Sequence, residues 1–463
     1  MKNLTNLCSD EIAFICTFLT DRDKVSLLNI NREIIKIFEN SSSKIQLYDH
    51  YNNNNVRNIQ EKYVITNFVY YKEKDNGPID IPKCVKNMYC KSSLMDDISD
   101  LDNLEKIVLI NHDRYMPKLP KSIVEVNLGG YFNRYINKFN DSIKILKFGH
   151  WHSQILLNLP SSLTSLSLGN NYDYPLPKLP RTLKILNCGK SFDQQLNDLP
   201  ESLEELYLGL YYSQYLDNLP TRLIKLVISG GYLRPLCKLP DSIKYLDISF
   251  FENNLIKWPK SLKELRIGST DHCSNISDSL EELPDGLENL YIHKSLEYQI
   301  KKLPNALKSF FVSRYIRNSD LTNLPENLLD LNIGINCFPK KKIIFPDNLI
   351  KIKIDIYGLN QKLEFGQKLK QLLCLKVSGE FNQNIDDLPD SIETLCLSRT
   401  FDMPISKLPS SLRKLKITNA KYNHRIKIDI LPKNLKSIKV SGRLAESLYD
   451  LSRLRPDIKV VYI

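Results

Sequence analysis

The sequence is poor in glycine, histidine and tryptophan, and it has no long apolar run. Sixteen glycines among 463 residues is about half the usual ~7%, too few for the glycine-rich loops on which nucleotide-dependent enzymes rely. No Gly-x-Ser-x-Gly, Gly-x-x-x-x-Gly-Lys-Ser/Thr or His-Glu-x-x-His segment occurs, so the nucleophile-elbow, phosphate-loop and zinc-hydrolase signatures are missing. Of seven histidines only His150 and His152 are close. No Glu or Cys accompanies them at zinc-ligand spacing, and His150-Trp151-His152 reads as a solvated loop after a strand. The longest early apolar stretch, Ile12 to Leu19, follows Asp10 and Glu11 and contains Thr17, unlike a signal peptide, and is too short to span a membrane. The chain is therefore expected inside a cell, in cytoplasm or nucleus, with no membrane partner. Ten cysteines include no Cys-x-x-Cys pair, and several stand where neighbouring segments carry Leu or Ile. They read as reduced, buried thiols. No catalytic residue, metal site or cofactor is expected. The formal charge of +11 is spread along the chain, fits an AT-rich coding sequence equally well, and points to an anionic partner only where it clusters.

What the chain does have is a period. Leu-Pro and its variants place Pro120, Asn140 in a degenerate slot, Pro160, Pro180, Pro200, Pro220, Pro240, Pro259, Pro284, Pro304, Pro325, Pro346, Pro389, Pro409 and Pro432. Most steps are 20 residues; the step of 43 hides one unit, with Leu372, Leu375 and Val377. Pro82, Val85, Met88, Cys90 and then Leu104, Ile107, Leu109 continue the phase upstream, so about eighteen units fill residues 80–455. Within a unit, apolar residues fall three, six and eight positions after the proline, as in Leu163, Leu166, Leu168 and Leu412, Leu415, Ile417. The last two alternate as a short half-buried strand. A small residue follows (Gly129, Gly149, Gly169), then an aromatic (Phe132, Tyr172, Phe192, Tyr212), then an aliphatic four later. Such a unit cannot bury its own stripe, but stacked copies share one core. Twenty residues leave no room for a return helix, so the convex side should be extended or polyproline-like. At about 4.8 Å per strand, eighteen coils would form an arc of roughly 85 Å.

The units Phe132-Asn133-x-x-Ile136, Phe192-Asp193-x-x-Leu196, Phe381-Asn382-x-x-Ile385 and Phe401-Asp402-x-x-Ile405 resemble FNIP repeats, short relatives of leucine-rich repeats abundant in social amoebae and in giant viruses of amoebae. The resemblance implies a mainly β, leucine-rich-repeat-like solenoid, or horseshoe, with parallel strands. Units around Asn253, Asp271 and Tyr357 lack the aromatic-Asn pair.

The first forty residues differ. Helical spacing of Ile12, Ile15, Phe18 and Leu19 follows a Ser9-Asp10 cap, and Val25, Leu28 and Ile30 suit a second short helix. Leu7, Asp10-Glu11-Ile12, Ile15, Phe18-Leu19, Asp23, Val25 and Leu28 resemble an F-box, with Cys8 where that family usually carries proline. This resemblance implies that Leu7, Ile12, Ile15, Phe18, Leu19, Val25 and Leu28 bind the adaptor of an SCF-type cullin-RING ubiquitin ligase. The alternative is that the helices cap the first coil. The expected organisation is a helical module at 1–40, a linker and degenerate first coil at 41–80, the solenoid at 81–455 and a terminal strand at 456–463.

Outward strand slots lie five and seven residues after the proline, and they vary on a constant framework, as a binding surface requires. Tyr207, Tyr245, Tyr291 and Phe311 are candidate anchors. Lys351, Lys353, Lys376, Lys414, Lys416 and Lys439 would form a positive field for an acidic or phosphorylated target segment. Two function classes remain open: a ligase substrate receptor that joins adaptor and cullin to a target protein, or a plain protein- or nucleic-acid-binding scaffold. Lysine rather than Arg interleaved with aromatics argues against nucleic acid.

Overall fold

Proline opens most coils by turning the chain. Its carbonyl accepts the N–H of the residue three positions on, as in Leu163 to Pro160 at 3.2 Å, Leu203 to Pro200 at 3.0 Å and Leu412 to Pro409 at 3.1 Å. That turn sends the first leucine inward and aims the next residues along a strand. The computed structural model describes residues 16, 19–24, 45–52, 63–70, 81–91, 97–232, 234, 236, 238–248, 257–268, 283–293, 302–313, 324–334, 344–356, 363, 365, 369–440 and 455–462. The chain divides into two compact units, Met1–Gly209 and Leu210–Ile463.

The first unit carries β1 (Ile45–Asn52), β2 (Tyr63–Tyr70), β3 (Asn87–Cys90), β4 (Lys106–Leu109), β5 (Glu125–Asn127), β6 (Ile145–Lys147), β7 (Ser165–Ser167), β8 (Ile185–Asn187) and β9 (Glu205–Leu208). Each pairs in parallel with the next. The second unit carries β10 (Lys225–Ile228), β11 (Tyr245–Ile248), β12 (Glu264–Ile267), β13 (Asn289–Ile292), β14 (Ser309–Val312), β15 (Asp330–Ile333), β16 (Lys351–Ile356), β17 (Cys374–Gly379), β18 (Thr394–Leu397), β19 (Lys414–Ile417), β20 (Ser437–Val440) and β21 (Lys459–Tyr462), again parallel from neighbour to neighbour. This is the leucine-rich-repeat-like parallel solenoid that the period predicts. Residues 41–80, read from sequence as a linker and one degenerate coil, instead hold two strands. Leu47, Phe68 and Tyr70 are buried there, with aromatics replacing the leucines that mark later units. Among the described residues of the coils the return paths contain turns and one short 3-10 segment, Ile428–Ile430, but no α-helix.

Register stacks like on like. Leu146, Leu166 and Leu186 are Cα partners across β6, β7 and β8, and all are fully buried. The post-strand aromatics form a second stack inside the coils, with centroids 5.9–6.4 Å apart through His112, Phe132, His152, Tyr172 and Phe192. Phe381, Phe401 and Tyr422 repeat it in the second unit. This corrects the reading of His150-Trp151-His152 as wholly solvated: His150 and Trp151 are exposed, but His152 is buried because it fills the aromatic slot. The residue after each aromatic has its own task. Asn133 Oδ1 accepts the Ser153 N–H at 3.0 Å, Asp173 Oδ1 that of Asp193 at 2.8 Å and Asn382 Oδ1 that of Asp402 at 2.8 Å. The aromatic-Asn pair thus stacks one coil on the next and satisfies its backbone.

The serines before each strand act across coils too. Ser202 Oγ donates to Leu183 O at 2.7 Å, Ser242 to Leu223 at 2.7 Å and Ser391 to Leu372 at 2.8 Å, so their partners lie in the preceding coil. Glycine after the strand is a matter of space: a Cβ on Gly149 would lie 1.2 Å from Gly129 O. At the N-terminus, Thr20 Oγ1 accepts the Asp23 N–H and donates to the Asp23 carboxylate, capping the helical turn of residues 21–24. Asp21 and Lys24 form a buried ion pair at 2.9 Å, and the Tyr51 hydroxyl donates to Asp21 at 3.1 Å, fastening this turn to β1.

Candidate functional site

The strands are too short to do more than bury one residue and present its two neighbours. The half-exposed, buried, half-exposed order recurs in β5, β6 and β7 and continues with small variations through the second unit. The outward slots are those the sequence named.

In the first unit this face is largely satisfied from within. Glu125 meets Lys106 and Lys147, each at 3.2 Å; burial alone would raise its pKa, but the two lysines bring it below the ordinary value. Asn127 and Asn187 accept the N–H groups of Gly129 and Gly189, both at 3.0 Å, and hold those glycines at φ +64° and +72°, a region that favours glycine. Tyr207 donates to Glu205; burial and that bond push its hydroxyl up to about 12.

In the second unit the face has two zones. Over β10–β14 runs a cation and ring ladder. Lys225 Nζ lies 4.5 Å from the Tyr245 ring, and Arg266 Cζ 5.6 Å from Tyr245 and 4.7 Å from Tyr291. Tyr291 leans on Phe311 at 6.3 Å. So Tyr245, Tyr291 and Phe311 are brought together, while Tyr207 belongs to the first unit. One arginine does interleave with these aromatics, contrary to the sequence reading, but it also bonds Glu264 at 2.8 Å.

Over β16–β20 the slots turn basic. Lys351 is bonded to Asp330 at 2.6 Å, which raises its affinity for its proton, so it is already spoken for. Lys353, Lys376, Lys416 and Lys439 share one column, in the order Lys353, Lys376, Cys396, Lys416, Lys439 by register. Lys414 stands in the other column, between Thr394 and Ser437. The six lysines are therefore not one ladder: one is neutralised, one stands aside, and four align with a cysteine between the pairs. Cys374 and Cys396 are half-buried outward residues, unlike the buried Cys90 and Cys188. Burial raises the Cys396 thiol even though Lys376, Lys416 and Lys439 all pull it down.

Sequence reasoning missed an exposed aromatic edge in the first unit. Tyr115, Tyr131, Tyr135 and Trp151 are 76%, 63%, 40% and 53% exposed. They flank the buried aromatic slot, eleven and fifteen residues after the proline position, and that spacing was the signal available. Of the F-box-like residues, Leu19 is half-buried, whereas Leu7, Ile12, Ile15, Phe18, Val25 and Leu28 lie outside the described residues. Among the described residues no helix is long and apolar enough to cross a membrane, and no three His, Cys, Asp or Glu side chains gather as a metal site.

The fold and its outward face define a leucine-rich-repeat-type solenoid. The FNIP Repeat family matches residues 381–420 and 406–443. An FNIP repeat-containing protein of Dictyostelium discoideum, DDB_G0277323, is 30% identical over 176 residues. That match covers 35% of this chain, and the chain spans about half of that relative, 48%. Among solved structures, CroV588, described as a novel circular LRR protein, is similar at TM-score 0.63 and 23% identity over 85% of this chain and 61% of its own. YopM from Yersinia enterocolitica WA-314 is similar at TM-score 0.50 and 20% identity, over 82% of this chain and 85% of its own.

Proposed function

We propose that this chain is a non-enzymatic interaction scaffold acting inside the cell, whose outward strand face binds a target protein and whose N-terminal segment couples it to an SCF-type ubiquitin ligase. The observation that supports target binding is the contrast between a uniform buried framework and outward slots that change chemistry from coil to coil, ending in lysines with no carboxylate partner among the described residues. Aromatic anchors and an unneutralised charged rail on one sheet face suit a macromolecule. The triple reversal of Lys353, Lys376 and Lys416 to Glu should weaken target capture, chiefly through slower, salt-sensitive association. Unchanged capture at low ionic strength would shift the site to Tyr245, Tyr291 and Phe311.

The ligase link is supported by the resemblance of residues 7–28 to an F-box. Ile15→Asp with Phe18→Asp should abolish adaptor pull-down, since truncating even one anchor costs about 2 kcal/mol or more. A folded double variant that retains adaptor and cullin as wild type does would sink the link. The capping alternative would then stand, favoured by the hydrogen bond from Tyr51 in the first strand to Asp21.

A further inference from the structure

Four lysines of one outward column remain without a carboxylate partner among the described residues: Lys353, Lys376, Lys416 and Lys439. Elsewhere on the same face Lys351 is answered by Asp330 and Arg266 by Glu264. Lys353 and Lys376 are direct register partners, as are Lys416 and Lys439. Like charges placed directly opposite on neighbouring strands repel, and an anion seated between them relieves that repulsion. Cys396 takes the column position between the two pairs and carries a short side chain, so the positive charge is gathered into two seats rather than one stripe. Neighbouring strands lie about 4.8 Å apart, so the centres of the two seats, three strands apart, are separated by about 14 Å; an extended chain covers that in about four residues at ~3.3 Å each.

We propose that β16–β20 bind an extended peptide segment bearing two phosphorylated side chains four residues apart, one held by Lys353 and Lys376 and the other by Lys416 and Lys439. This deepens the reading of the outward face as target-binding and rests on it. Charge favours phosphate over carboxylate. A phosphorylated side chain carries about −1.5 to −2 and matches two ammonium groups, whereas a carboxylate answers only one. Lys414, exposed in the adjoining column beside the second seat, adds to the same field. A single-stranded nucleic acid fits this stretch less well: the ten outward slots of these five strands contain no aromatic ring, and such ligands bind by stacking bases on rings.

The test is fluorescence anisotropy with the full chain and labelled twelve-residue peptides on a Gly/Ala background. The probes carry phosphoserines at i and i+4, phosphoserines at i and i+2, one phosphoserine, or Glu at i and i+4; oligo-dT is the nucleic-acid arm. The i, i+4 peptide should bind at least about tenfold more tightly than the singly phosphorylated, i+2 and Glu peptides, and more tightly than oligo-dT. Lys353→Glu with Lys376→Glu should erase the advantage of the second phosphate, leaving affinity near that of the singly phosphorylated probe. Bound peptide should also slow alkylation of Cys396 several-fold, read by mass spectrometry, while Cys84 alkylates at its usual rate. Equal affinity for the i+2 and i+4 probes, tighter binding of oligo-dT, or an unchanged Cys396 rate would overturn the proposal. Should the peptides fail while charge reversal still abolishes capture of the target, the spacing is wrong and the binding face stands; should both be unaffected, both readings fall.

Discussion

Leu166→Ala should destabilise the first unit by about 2–5 kcal/mol, the usual cost of truncating leucine in a packed core. Leu166 is fully buried and lies in register between Leu146 and Leu186, so the hole opens into two neighbouring coils that cannot both close on it. In a stacked array each coil leans only on its neighbours. Hydrogen exchange should therefore rise first in β6, β7 and β8, with β3 and β4 less affected. Leu415→Ala should do the same around β19, where Leu395 and Ile438 are its register partners. Protection around Leu166→Ala equal to that of wild type would mean that the leucine column does not carry the stability of the stack.

His152→Phe should remove an acid-sensitive step from unfolding. The imidazole is 1% exposed, lies between the rings of Phe132 and Tyr172 and 4.3 Å from that of Phe148, and has the Phe132 backbone as its polar neighbour. Burial pushes it down to about 4, against about 6.5 in an unfolded chain. Between these values the unfolded chain takes up a proton that the folded chain refuses, so stability falls as pH drops from about 6.5 to about 4 and levels off below. At about 1.36 kcal/mol per pH unit this amounts to about 3 kcal/mol. Phenylalanine restores the ring without the buried nitrogens, so the variant should match or exceed wild type at pH 7 and gain most near pH 4. His112, whose affinity for a proton is also lowered by burial, contributes a smaller slope of the same sign. Melting curves over pH 4–7 decide it: an unchanged slope in His152→Phe would assign the acid sensitivity elsewhere.

The same histidine shows where reading the sequence stops. A proline, three leucines at offsets three, six and eight, and an aromatic-Asn pair announce themselves because each repeats. The strands β3–β20 fall where those offsets put them. His152 was read as solvent-facing because imidazole is polar, although its place midway between Phe132 and Tyr172 in the period is the ring slot. The partners of Ser202 and Ser242 are hidden by sequence distance, because the atom in reach belongs to the preceding coil, 19 residues away. β1 and β2 escaped because aromatics, Phe68 and Tyr70, fill the inward slots of β2 and the step from β1 to β2, Ile45 to Tyr63, falls short of twenty.

By itself the sequence determined the period, the parallel coil, the leucine column and which two residues of each strand face outward, since all of these follow from local alternation and from the need of each coil to share its apolar stripe with another. Only the tertiary structure decided which outward residues are free to act. Glu125 and Lys351 look like binding residues in the sequence, yet each is engaged within the fold. Lys353, Lys376, Lys416 and Lys439 look no different and are left over among the described residues. Ion pairs and hydrogen bonds between side chains some twenty residues apart depend on register, rotamer and reach across the stack, and a one-dimensional repeat carries none of these until the coils are laid side by side.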